Sequence, residues 1–297
     1  MAMMETNELF KTELSRNKHM LTDEEVEQLK VISFEILCDI ISICDENSIP
    51  YMLGGGTALG AVRHKGFIPW DDDIDINIPR KYVHKLCGLI RQQYPKKYYV
   101  EEPTYTKGYL SSFIQVHKNG TIFREFLSQD LEHCGVKIDI FPIENTYDNR
   151  MLRFFHGVQC EFGLFVLSCY RMYAWRKEMM ALAGKNRKAR ALIFCKGMIG
   201  CLFAPMHDWW YRRIQHSFQK CKDDDSEFVV IPSGRKHFFG ELYPRKSYLD
   251  LVPIKFEDKF FFISKDYDRY LTNLYGNYMV LPAEEKREHH VIYDLKL

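Results

Sequence analysis

A chain of 297 residues, 46 % apolar and 27 % charged, has the make-up of an ordinary soluble globular protein, with material for one large domain or two small ones. Its nine cysteines, an odd number with no CxxC pair, argue against a disulfide framework or a zinc finger; several lie in apolar runs and read as small buried hydrophobes, in a reducing, cytoplasmic setting. The net charge of +1 conceals a split: residues 150–222 hold fourteen Lys and Arg against three acids, a net of +11 that leaves −10 on the remainder, which points to a basic face for an anionic partner.

The opening MAMMETNELFKTE is too polar for a signal peptide. Thr22-Asp23-Glu24-Glu25 has the form of a capping box, and Val26, Leu29, Ile32, Ile36, Leu37, Ile40 and Ile41 follow at helical spacing, ending near Asn47-Ser48. Ile49–Leu53 reads as a short strand, broken by Gly54-Gly55-Gly56-Thr57, after which Ala58–Val62 begins a second helix. From Asp73 the chain alternates polar and apolar as far as Ile78, which predicts a strand with Asp73, Asp75 and Asn77 on one face and Pro79 as its stop. A helix over Lys81–Gln93 leads to strand-like segments at Tyr98–Val100, Ser112–His117 and Thr121–Phe123, with a hairpin turn expected at Asn119-Gly120. Val136–Ile140 alternates again and puts Lys137 and Asp139 on one face.

Residues 151–222 read as basic, aromatic and mostly helical, with a polar loop near Gly184–Lys188. The longest apolar run there, Ala191–Pro205, is interrupted by Lys196 and is shorter than the ~20 residues of a spanning helix. Strands follow at Phe228–Ile231, Val252–Phe256 and Lys259–Ile263, then a helix over Asp266–Tyr275 that Gly276 ends. The expected fold class is α/β (α+β), a mixed sheet with flanking helices. Its divisions are a core with an N-terminal helix over 1–149, a basic helical insert over 150–227, and C-terminal strands and helix over 228–297 that complete the core.

Two features carry chemistry. A glycine turn between a strand and a helix lets backbone N–H groups approach a phosphate at a helix N-terminus. Two carboxylates two apart on a strand, Asp73 and Asp75, point the same way and can hold Mg²⁺ or Mn²⁺, with Asp139 as the third ligand from a neighbouring strand. An EF-hand is excluded because no glycine follows the aspartates and no Glu closes the loop. Asp71 and Asp72 read as a solvated turn, whereas Asp75 sits between Ile74 and Ile76 within a strand. Together these features point to phosphoryl transfer.

The run from Gly55 through Asp75, with Gly55-Gly56-Thr57-Ala58-Leu59-Gly60-Ala61-Val62-Arg63-His64-Lys65-Gly66-Phe67-Ile68-Pro69-Trp70-Asp71-Asp72-Asp73-Ile74-Asp75 nearly continuous, resembles the signature of the LicD family, which is similar to fukutin and fukutin-related protein. Lys137–Pro142, Phe239–Pro244, Val252–Asp258 and Asp266–Asp268 agree with it, while the basic helical middle has no counterpart. Asn277 and Ala283 depart from residues common in that family. The resemblance implies a nucleotidyltransferase-like core and a phosphotransferase that uses a divalent metal. The implied donor is CDP-choline or a related CDP-alcohol. The implied acceptor is a glycan or lipid-linked glycan such as lipopolysaccharide or teichoic acid.

By the same resemblance Asp73, Asp75 and Asp139 hold the metal and Gly55, Gly56 and Thr57 approach the donor's phosphates. Arg63, His64 and Lys65 are candidates for neutralising the diphosphate, against the reading of an exposed basic turn. Trp70 is a candidate for stacking on cytosine or choline or for core packing, and Lys255 for reaching a phosphate or for solvation. His289 and His290, with Arg287, lie on a tail that can fold over the site. The basic insert either lies against anionic headgroups in peripheral membrane contact or is a solvated face; no nucleic-acid module is present. Three alternatives stay open: transfer of ribitol or glycerol phosphate, nucleotidyl transfer with release of diphosphate, and a catalytically silent scaffold at a membrane complex.

Overall fold

The computed structural model describes residues 21–125, 133–283 and 292–297. It opens with α1 (Asp23–Glu46), capped as its sequence predicts. Glu25 N–H donates to Thr22 Oγ1 at 3.2 Å, and Thr22 N–H donates back to the Glu25 carboxylate at 2.8 Å. Both donors would otherwise be unsatisfied at a helix start. The apolar stripe of α1, including Leu29, Ile36, Leu37 and Ile40, is fully buried.

Then come β1 (Met52–Leu53), α2 (Gly55–Arg63), β2 (Asp75–Pro79), α3 (Arg80–Gln93), β3 (Tyr98–Glu101), β4 (Ile114–Lys118), β5 (Ile122–Glu125) and β6 (Lys137–Asn145). They are followed by the helices α4 (Arg150–Ala174), α5 (Arg176–Leu182), α6 (Arg187–Phe203) and α7 (His207–Phe218). The last part holds β7 (Phe228–Val230), α8 (His237–Gly240), β8 (Leu242–Pro244), α9 (Arg245–Tyr248), β9 (Leu251–Phe256), β10 (Lys259–Ser264), α10 (Tyr267–Tyr275) and β11 (Ile292–Lys296).

The central sheet runs β1-β2-β6-β4-β3, with β7 joined to the far end of β6 and β8 to β7. Only β2 and β6 pair in parallel within it. The alternation of β6 is that of a strand with one apolar face. Ile138 and Ile140 are completely buried, in a layer with Ile76, Ile78, Ile114 and Val116 that α1 and α3 cover. Asp75, Asn77, Asp139 and Gln115 are left on the opposite face.

One expected connection is different. Asn119-Gly120 is a turn, with Gly120 at φ +85, but β4 and β5 do not pair with each other. Both edges of β4 are already occupied, by β3 and β6, and β5 pairs with β11. Turn residues record a chain reversal, not the partner on either side of it. All nine cysteines are free; six are buried, Cys38 is half-buried, and Cys195 and Cys201 are exposed.

The basic helices pack against the sheet end as well as each other. Cys160 and Leu167 of α4 and Tyr211, Ile214 and Phe218 of α7 share an apolar cluster with Leu110, Val230 and Phe238. Gly163 and Gly200 permit the close helix contacts: a Cβ at Gly200 would overlap the Cys169 carbonyl, and one at Gly163 would sit 3.0 Å from Ile214.

Candidate active site

The site begins with glycines that let the chain fold back on itself. Gly55 has φ +41, a region that favours glycine, and a side chain there would run into the Asp75 carboxylate. Gly56 and Gly60 share a side of α2, four residues apart. The segment 66–73 returns along that side. A Cβ at Gly60 would lie 2.5 Å from the Gly66 carbonyl oxygen, and one at Gly56 would lie 2.7 Å from an Asp71 carboxylate oxygen. Lys30 of α1 donates to Pro69 O at 3.2 Å and holds the segment from the other side.

Strand register then gathers the acids. Asp75 on β2 and Asp139 on β6 are direct partners in a parallel pair, so their side chains leave the same face. Gln115 on β4 is opposite Asp139, and its Nε2 donates to Asp139 Oδ1 at 2.9 Å. Asp75 is anchored from its backbone, whose N–H donates to Thr57 Oγ1 at 2.8 Å. The Asp75 carboxyl is held well above the ordinary carboxylate range. Burial is the main cause, then the charges of Asp73, Asp139 and Asp71, with a hydrogen bond from Gly56 N–H opposing them.

Asp71 and Asp72 correct the expectation of a solvated turn. Asp72 is only 8 % exposed, and Asp71, Asp72 and Asp73 each bring one carboxylate oxygen within 4.8 Å of the others. The glycine side of α2 draws this loop inward, which hydrophilicity alone does not reveal. Two groupings therefore meet here, the loop acids 71–73 and the strand pair Asp75–Asp139. The strand pair defines the site better, because the charges converge on Asp75 and rigid strands fix its position.

This donor set fits a hard divalent cation. It is carboxylate oxygen throughout, partly buried and crowded, so a bound Mg²⁺ or Mn²⁺ would relieve the repulsion around Asp75. Asp73, Asp75 and Asp139 are the residues that would hold it.

A layer of tyrosines supports the glycine turn. Tyr270 OH accepts from Gly55 N–H at 2.9 Å and from Asn77 Nδ2 at 3.4 Å, and Asn77 Nδ2 also donates to Tyr248 OH at 3.1 Å. The N–H groups of Gly55 and Gly56 are thus engaged by Tyr270 and Asp75, and Thr57 is buried. Here the glycine turn positions carboxylates.

The other sequence candidates spread around this centre. Arg63 lies near Asp71 and donates to Tyr278 O at 2.7 Å and to His64 Nε2 at 2.9 Å, with its guanidinium 5.9 Å from the Trp70 ring centroid. Burial, then the Arg63 charge, lowers the His64 pKa, consistent with a neutral ring accepting that bond. Trp70 is half-buried against the main core. Lys65 is exposed and donates to Val62 O at 3.2 Å. Lys255 is on β9 opposite Phe260, in a hairpin that meets the end of α2 where Phe67 N–H donates to Glu257 Oε1 at 2.9 Å. Neither lysine is brought to the carboxylates by a contact described for it. Arg287, His289 and His290 lie outside the described residues.

Sequence reasoning missed Gln115, Tyr248 and Tyr270. Gln115 had a readable signal, a polar residue between Ile114 and Val116 on an alternating strand. The tyrosines had none, since α9 and α10 reach the site only through tertiary packing.

Residues 48–162 match the family model described as LicD/FKTN/FKRP, nucleotidyltransferase domain, a span that contains the glycine turn and Asp71, Asp72, Asp73, Asp75 and Asp139. The chain is 26 % identical over 277 residues to the lipopolysaccharide cholinephosphotransferase LicD of Haemophilus influenzae, across 88 % of this chain and 94 % of that protein. It is 32 % identical over 138 residues to an uncharacterized protein of Rickettsia prowazekii, across 42 % of this chain and 52 % of that one. A shorter match, 43 % identical over 54 residues, is to an uncharacterized protein of Rickettsia typhi and covers 18 % of each chain. The fold, the glycine-ordered carboxylates and these likenesses lead to one assignment: residues 48–162 match the LicD family's nucleotidyltransferase domain, and the similarity to a LicD protein runs along most of the chain.

Proposed function

We propose that this protein transfers phosphocholine, or a similar phospho-alcohol, from a CDP-linked donor to a hydroxyl of a cell-surface glycan or glycolipid precursor, releasing CMP. The substrate class is supported by the Haemophilus influenzae relative, which is named for transfer of cholinephosphate to lipopolysaccharide. The observation that carries the chemistry is the register of Asp75 with Asp139, beside Asp73 and the glycine turn.

In the reaction an acceptor oxygen bonds to the phosphorus bearing the small alcohol as the bond to the CMP oxygen breaks. Asp73, Asp75 and Asp139 would hold a divalent cation, whose charge would offset that of the diphosphate. Asp139, oriented by the Gln115 amide, takes the proton of the acceptor hydroxyl. Arg63, near both Asp71 and Trp70, offers a guanidinium to the donor's phosphates.

The test is CMP release from CDP-choline with Mg²⁺ and a lipopolysaccharide or glycolipid acceptor, beside Asp75→Asn and Asp139→Asn. Acceptor-dependent release that both substitutions abolish supports the reading; equal turnover in either variant overturns the carboxylate assignment. The nucleotidyltransferase designation of the matching domain favours a second reading, joining of a phospho-alcohol to a nucleotide. Release of diphosphate from CTP, in place of CMP from CDP-choline, would select it.

A further inference from the structure

The solvent-facing side of α4 is apolar. Met151, Phe155, Val158, Phe162 and Phe165 recur at the spacing of one helix face and are all exposed, Phe155 by 61 % and Phe162 by 53 %. No charged residue interrupts this stripe. Phe154 broadens it, with its ring 5.8 Å from Phe155 and 5.9 Å from Phe239. On α6, Phe194, Met198 and Leu202 are exposed along one side, Leu202 by 79 %, with Arg187 and Arg190 exposed on its first turns. Lys196, the charge within this apolar run, turns inward and donates to Ser168 Oγ at 3.1 Å. A solvated helix has the reverse pattern, with its charges outside.

We propose that the exposed apolar sides of α4 and α6 dock on the surface of an anionic lipid bilayer, the aromatic side chains entering the interface and exposed basic residues such as Arg187 and Arg190 meeting the headgroup phosphates. Charge selects this occupant. The segment 150–222 carries +11, so a second copy would bring two such surfaces together, against their repulsion. A nucleic acid would leave the uncharged stripe without a partner, whereas an interface of acyl chains and anionic headgroups matches both parts.

Among the described residues, Arg187–Phe218 is long and apolar enough to cross a membrane by length and composition alone. Its second half, however, is built into the protein: Tyr211 donates to Ser111 O, and Ile214 packs against Gly163. Crossing would require those contacts to break, while lying flat keeps them. The helix that carries the stripe also connects to the site. Arg171 of α4 donates from Nε to Leu110 O at 3.1 Å, and the neighbouring Tyr109 is close enough to Asp139 to feel its charge. Docking would therefore hold the carboxylates near lipid-borne material.

The experiment is sedimentation of the full chain with vesicles of phosphatidylcholine alone or mixed with phosphatidylglycerol, a readout independent of any turnover. Wild type is expected to pellet with the anionic vesicles and to be released by salt. Phe155→Ser and Phe162→Ser should each weaken the partition by about tenfold, and Arg187→Gln and Arg190→Gln by about fivefold each. Circular dichroism and the melting temperature of each variant should match wild type, since all four side chains are exposed. Absence of pelleting, pelleting that all four substitutions leave unchanged, or a wild-type dimer that the Phe variants dissociate would overturn the proposal. Retention in cell membranes through alkaline carbonate extraction would overturn it in favour of a spanning helix.

Discussion

Gly60→Ala sets two effects of opposite sign against each other. In the interior of a helix, alanine is ordinarily favoured over glycine by about 0.5–1 kcal/mol. At Gly60 the new Cβ would lie 2.5 Å from the Gly66 carbonyl oxygen and 3.3 Å from Ile68 N, and both are backbone atoms that no rotamer change can move. Relief requires the segment 66–73 to shift away from α2, at about 1–3 kcal/mol, and that segment carries Asp71, Asp72 and Asp73 to the site. The net expectation is destabilisation of about 1–2 kcal/mol together with weakened binding of Mg²⁺. Gly88→Ala supplies the control. Gly88 is in the interior of α3 with nothing within 4 Å of its added Cβ, so it should stabilise by about 0.5–1 kcal/mol and leave metal binding alone. Urea unfolding of the two variants, with Mg²⁺ calorimetry on each, decides the matter. A Gly60→Ala protein as stable as the Gly88→Ala one, with wild-type metal affinity, would refute the argument that Gly60 positions the acidic loop.

Gln115→Leu removes the amide that orients Asp139 and should lower kcat about tenfold while metal binding persists, with partial recovery in Gln115→Asn; equal loss in metal affinity and kcat would instead mean a general collapse of the site. Glu241 has its carboxyl pushed up to about 7, chiefly by burial, with the Lys236 N–H bond and the Lys236 and Arg235 charges opposing. The folded value exceeds the unfolded one, so its stabilising effect is complete below about pH 4.5 and is lost as pH rises through 7, by about 3 kcal/mol at most. Stability measured across that range should fall less steeply in Glu241→Gln, and an unchanged slope would exclude Glu241 as the cause. Thr22→Ala removes one side of the capping box and should cost about 1 kcal/mol in denaturant unfolding, with no effect on turnover.

The sequence by itself determined the local elements and the identity of the candidate groups. Capping at Thr22, the stripe of α1, the stop at Pro79 and the alternation around Asp139 depend on neighbours within a few residues, and such patterns survive without tertiary information. Placing Asp75 and Asp139 on strand faces followed from period two alone, whereas Asp73, read from the alternation as the first strand residue, lies in the loop before β2. Tertiary structure decided which strands are adjacent, and therefore that Asp75 stands in register with Asp139 and that Gln115 is the amide beside it. It also turned Asp71 and Asp72 from an expected solvated turn into packed acids, because Gly56 and Gly60 open a side of α2 only when residues 66–73 come back along it. The tyrosine support from α9 and α10 lies more than 170 residues along the chain from the glycines and Asn77 it holds, a separation across which no local periodicity carries information. The same holds for the basic insert: composition gave its charge, but only the packed helices show that Phe155 and Phe162 stay exposed while Lys196 turns inward.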